Sequence, residues 1–191
     1  MSRVEAGELL NRNVEELRAL LAQSVGLGPK IAAAANALAL ALLRGGKLLA
    51  CGNGGSAAEA SHLTTEFVCR YNKDRRPYPA ISLATHGGDL TAIGNDYEFN
   101  DIFARQVEAF GRSGDILMAF TTSGRSENIR RALLAAKNQS LLTVCFLGKN
   151  GGSCAGLADI ELLIHSETTA RIQETRQLLL HTICELVEAQ L

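Results

Sequence analysis

At 191 residues, 47 % of them hydrophobic, the chain is long enough for one domain with a sizeable core and short for two. Its 19 Lys and Arg balance 20 Asp and Glu, a formal net charge of −1, and the basic residues are scattered along the chain. Nucleic acid is therefore not expected as the main partner.

In chain order, Met1-Ser2-Arg3-Val4-Glu5 lacks the charged-then-apolar layout of a secretory signal, so a cytoplasmic protein is expected. Leu10, Val14, Leu17 and Leu21 recur at three- and four-residue spacing, which predicts a helix. A second, Ala-rich helix follows Gly26-Leu27-Gly28-Pro29 and fills 31–43, the longest apolar run. That run stops at Arg44 and is too short to cross a bilayer, so a buried helix rather than a membrane span is expected. After Gly45-Gly46, short apolar runs at 48–51, 79–83, 116–120, 142–147 and 160–164 read as strands. Helical stretches begin near Ala57, Phe99, Ser126 and Gly152, and a last helix runs from about Thr169 with Ile172, Leu179, Ile183 and Leu186 on one side. Strands alternating with helices make βαβ units. The expected class is α/β, a five-stranded parallel sheet covered by helices on both faces, with an N-terminal helical extension. A single domain over 1–191 is expected, its helices at 1–45 in an interface between subunits, because the terminal helices carry wide apolar faces.

Two strand-to-helix junctions carry ligand chemistry. In Gly52-Asn53-Gly54-Gly55-Ser56 the glycines let the backbone approach a ligand, and the N–H groups opening the next helix favour an anion or a polar sugar. A tight turn without a ligand is the plain alternative. Gly52, Gly54 and Ala57 also fit G-x-G-x-x-A, but no acidic residue closes the second strand, where Ala84-Thr85-His86 stands, so no nucleotide cofactor is expected. The second junction, Thr121-Thr122-Ser123-Gly124-Arg125-Ser126, offers four hydroxyls, a glycine and a helix start, which suit a phosphate. Ser126 would serve as helix cap in the plain reading.

His62 and Glu66 share one helical face, and Gln173 and His181 interrupt an apolar pattern on the last helix. All four are metal-ligand types. Eight residues of helix separate Gln173 from His181 by roughly 12 Å, so one ion meets both only if Gln173 precedes the regular helix or two subunits contribute. His86 and His165 are read as structural, and Cys51, Cys69, Cys145, Cys154 and Cys184, odd in number and without a C-x-x-C pair, as reduced thiols.

Taken together, Cys51-Gly52-Asn53-Gly54-Gly55-Ser56, Gly94-Asn95-Asp96, Phe99-Asn100-Asp101, Thr122-Ser123-Gly124 and Arg171-Ile172-Gln173-Glu174 resemble the phosphoheptose isomerases, in the sugar isomerase (SIS) domain superfamily. The resemblance covers nearly the whole chain. It implies a flavodoxin-like three-layer sandwich and interconversion of sedoheptulose 7-phosphate and D-glycero-D-manno-heptose 7-phosphate, an early step toward activated heptose for surface polysaccharide. It further implies a homotetramer with shared active sites and zinc, one per subunit. Carried over by motif, the substrate contacts are Asn53, Gly54, Gly55, Glu66, Asn95, Asp96, Thr121, Thr122, Ser123, Ser126 and Gln173. His62, Glu66, Gln173 and His181 match metal positions, with Glu66 and His181 as acid–base pair. Departures are Thr121 for a common Ser, Arg125 where Asn is frequent, and Ala170 where some enzymes carry Asp. The alternative is a non-catalytic phosphosugar-binding or replication-initiator-associating scaffold of the same superfamily. Such proteins tend to lose the catalytic positions, and this chain retains His62, Glu66 and His181.

Overall fold

The computed structural model describes residues 5–191. The reading of Met1 to Val4 lies outside them. Five strands, β1 (Leu48–Gly52), β2 (Ala80–Ser82), β3 (Ile116–Thr121), β4 (Leu142–Gly148) and β5 (Ile160–Ile164), pair in parallel in the order β2-β1-β3-β4-β5. Each expected strand is present within one or two residues of its expected ends. The near-continuous apolar runs follow from burial on both faces. Leu48 and Ala50 of β1, with Ile116, Met118 and Phe120 of β3, face a core built with α2 (Gly28–Leu43), α3 (Gly55–Val68) and α7 (Thr169–Glu188). The alternate residues Leu49, Cys51, Leu117 and Ala119 face a second core with α5 (Ala104–Phe110) and α6 (Glu127–Asn138). These are the three layers.

The N-terminal extension is α1 (Ala6–Ser24), a 3₁₀ turn (Val25–Leu27) and α2. Together Ala6–Leu43 is the one helical run among the described residues long and apolar enough, by length and composition, to cross a membrane. Its second half is used as a core helix: Ile31, Ala34, Ala35, Leu38 and Leu42 are buried in the first core. Of α1 only Leu20 and Ser24 are buried; Leu10 and Val14 are 63 % and 51 % exposed, and Val25 in the turn that follows is 77 % exposed. The expected apolar stripe of α1 is thus turned mostly away from this chain.

Three expectations are corrected. The stretch from Gly152 makes only a 3₁₀ turn (Gly152–Cys154), because Gly151 and Gly152 both take positive φ and leave no room for a regular helix. The segment at Phe99 is likewise a 3₁₀ turn (Phe99–Asp101) that precedes α5. An unexpected helix, α4 (Gly87–Asp96), follows β2; no residue of it is fully buried, and Leu90 and Ile93, half-buried against the second core, make too short an apolar pattern to read. On α7, Ile172, Leu179 and Ile183 are buried as expected, but Leu186 is 38 % exposed.

Two features position the site. The chain runs from β1 outward to β2 and returns to the other side of β1 for β3, so the strand order reverses between β1 and β3, where open α/β sheets bind ligands. In that pair Gly52 is the register partner of Phe120. The glycine loop and the hydroxyl loop therefore leave the sheet side by side.

Candidate active site

The glycine loop turns at Gly54, whose φ of +56° favours a residue without Cβ, and α3 starts at Gly55. A Cβ on Gly55 would collide with the amide of Gln173 on α7, so this glycine admits the Gln173 side chain to the loop. In the hydroxyl loop, Thr121 Oγ1 accepts the Gly124 N–H at 3.1 Å and lies 3.3 Å from Ser126 Oγ. Ser123 Oγ accepts the Arg125 N–H at 3.1 Å. Gly124 has φ +65°, and a Cβ there would strike the Gly151 backbone, so the loop rests directly on the main chain after β4. Ser126 stands at the N-cap position of α6, yet its side chain makes no capping bond. Its hydroxyl is turned into the loop instead, which corrects the plain capping reading.

Below the glycine loop, α3 carries His62 and Glu66 one turn apart, and α7 brings His181 against them. His62 Nε2 lies 3.0 Å from His181 Nε2 and 3.1 Å from Glu66 Oε1. One ligand atom from each of the three residues falls within 4.8 Å of the others. The His62 side chain is 42 % exposed and that of Glu66 18 %, which leaves the group open to a ligand. Two imidazole nitrogens and a carboxylate oxygen this close form a zinc-type donor set, so the residues fit the ion that the resemblance implies.

Gln173 lies within α7 and not ahead of it, two turns from His181. The glutamine of α7 that reaches His181 is Gln177, whose Nε2 is 2.9 Å from His181 Nε2. Asn95 and Asp96 close the exposed α4, where Asn95 Nδ2 donates to Asp96 Oδ1 at 2.8 Å. The segment joining α4 to α5 is fastened to α6 by Arg131, which pairs with Asp101 at 2.7 Å and Glu98 at 3.1 Å. His86 and His165 are exposed and take no part in this cluster.

The matching family model is that of the SIS domain, over residues 13–148. A phosphoheptose isomerase from Geotalea daltonii is 46 % identical over 171 residues, which cover 88 % of this chain and 89 % of the relative. The chain belongs to the phosphoheptose isomerase family. Solved phosphoheptose isomerases agree in fold: that from Francisella tularensis at TM-score 0.93 and 36 % identity, and that from Neisseria gonorrhoeae at 0.91 and 35 %. Each alignment covers 97 % of this chain and all of the solved one.

The residues at the site that sequence reasoning missed are Asn128, Gln177 and the buried pair Glu59 and Arg176. Gln177 was legible, since it precedes His181 by four residues and shares its face. Asn128 and Arg176 carried no local signal: their partners lie 75 and 120 residues away.

Proposed function

We propose that the protein interconverts sedoheptulose 7-phosphate and D-glycero-D-manno-heptose 7-phosphate, an early step toward activated heptose for surface polysaccharide. The observation that carries this reading is the convergence of His181 from α7 on His62 and Glu66 of α3, the helix that opens at the glycine loop, in a chain of this family. The hydroxyl loop grips the phosphate through Thr121, Thr122, Ser123 and Ser126, and Asn53, Gly54, Gly55, Asn95 and Asp96 hold the sugar. Binding energy gained at the remote phosphate then positions C1 and C2.

Glu66 removes a C1 proton from the ketose while the carbonyl oxygen at C2 gains one through His181, giving a 1,2-enediol. Returning the proton to C2, as the C1 hydroxyl gives up its own, completes the aldose. His62, Glu66 and His181 would also hold zinc, which when bound supplies positive charge that polarises the substrate carbonyl. With Gln173 two turns from His181 in regular helix, its place as a fourth ligand requires a neighbouring copy, consistent with active sites shared between subunits.

The exposed apolar residues Leu10, Val14 and Val25 support a homotetramer built through the N-terminal helices, and light scattering at micromolar protein that gives a monomer mass refutes it. A cytoplasmic location is supported by all five cysteines being free. The function is tested by incubating the pure protein with sedoheptulose 7-phosphate and following the aldose by NMR. Ketose phosphates left unchanged, with and without added zinc, overturn the enzyme reading.

A further inference from the structure

Arg176 lies on α7 between Gln173 and His181, and its side chain is fully buried. Nη1 donates to Ser56 Oγ at 3.1 Å and to Glu59 Oε2 at 3.4 Å, and Nη2 donates to the carbonyl oxygens of Thr121, at 2.5 Å, and Phe146, at 3.1 Å. These acceptors are not a random set. Ser56 ends the glycine loop, Thr121 begins the hydroxyl loop, and Phe146 belongs to the neighbouring strand β4. One planar guanidinium thus ties both ligand loops to the helix that carries Gln173 and His181.

An interior charge is costly, and apolar side chains of like volume hold a core together as well or better. Glu59 offsets part of that cost. Burial pushes its carboxyl above the usual range while Arg176 pulls it back, and burial lowers Arg176 in turn. The compensation is incomplete, since Glu59 Oε1 and Arg176 Nε are buried without partners. A group this expensive, directed at the two loop ends, has a positional task.

We propose that Arg176 is a positioning residue for the isomerisation, which fixes the distance between the phosphate grip and the proton-transfer end of the site. It touches no substrate atom. The proposal rests on the function read above, because a phosphate remote from C1 and C2 aids their reaction only through a rigid frame. Lysine is a poor substitute, as one ammonium on a flexible stem cannot span acceptors in two directions.

The test compares wild type with Arg176→Lys and Arg176→Met at a temperature where circular dichroism shows each fully folded. Two readouts are taken: kcat and KM for sedoheptulose 7-phosphate, and the affinity for inorganic phosphate followed at the Thr122 to Ser126 amides by NMR. The expected result is a kcat lower by roughly tenfold to a hundredfold in folded protein, less severe for lysine than for methionine, together with weaker phosphate binding. Wild-type kcat, KM and phosphate affinity in folded variants overturn the proposal while the enzyme reading stands. An inert wild type overturns the enzyme reading, and phosphate affinity then decides the role of Arg176 in holding the loop. Should neither Arg176 variant fold, Ser56→Ala removes one acceptor without stranding a charge, and unchanged kcat and phosphate affinity in it overturn the proposal.

Discussion

Asn53 and Asn128 exchange two amide hydrogen bonds, the Nδ2 of each donating to the Oδ1 of the other at 2.9 Å. Asn53 belongs to the glycine loop and Asn128 to the first turn of α6, so the pair bridges the two loops on the ligand side of the sheet. Each amide retains one N–H and one acceptor lone pair for other partners. Asn128 is buried, and Asn128→Ala strands the Asn53 amide. The variant is expected to lose about 1–3 kcal/mol in denaturant unfolding, with KM for the heptose phosphate raised several-fold. Wild-type values for both quantities would show that the bridge is incidental.

Glu66→Gln separates proton transfer from metal binding. Glutamine keeps the size and much of the hydrogen bonding but cannot take a proton at neutral pH. Substrate binding and some zinc are expected to remain, while turnover falls by roughly a hundredfold or more. His181→Gln should lose about as much, and the double variant should be little worse than either. Solvent-deuterium exchange at the transferred carbon is the direct readout. Normal exchange in Glu66→Gln assigns the base elsewhere.

The hydroxyl loop offers a graded test. Ser126 Oγ makes no cap bond and lies beside Thr121 Oγ1, so Ser126→Ala removes the proposed phosphate donor at little cost to α6. Ser123→Ala also removes the acceptor of the Arg125 N–H. Each is expected to weaken substrate binding by about 1.5–3 kcal/mol, the worth of a hydrogen bond to a charged group. Unchanged affinity in both, measured by calorimetry, puts the phosphate outside this loop.

Stability toward acid should depend on Glu188, near the end of α7. Burial by itself raises its carboxyl. The Lys73 and Asn72 N–H groups, at 3.0 to 3.1 Å, and the Arg75 guanidinium outweigh this and hold it below the usual glutamate range. The folded chain therefore binds that proton more weakly than the unfolded chain does. The stabilisation is complete above the ordinary value of about 4.3 and is lost as pH falls through the lower folded value. Glu188→Gln is expected to cost about 1–3 kcal/mol at pH 7, with the gap to wild type closing as the pH is lowered past 4. A gap in melting temperature that stays constant from pH 7 to pH 3 would contradict this account.

What the sequence determined by itself was local. Runs of apolar residues placed all five strands, because a strand buried on both faces needs no distant information to be recognised. Glycine and hydroxyl clusters marked the two loops, and the four-residue spacing of His62 and Glu66 put them on one helical face. Where packing was weak or the backbone unusual, this reading failed: α4 packs on the core through only the half-buried Leu90 and Ile93, too few to show a period, and two left-handed glycines stopped the helix expected after Gly151. Only the tertiary structure decided the strand order that sets the loops side by side. The family resemblance had grouped His181 with His62, but only the structure put their rings in contact across 119 residues, and it alone brought Arg176 to Ser56 across 120. Such pairings depend on how helices dock onto the sheet, and that docking is chosen by the whole core at once. No short window of sequence contains it.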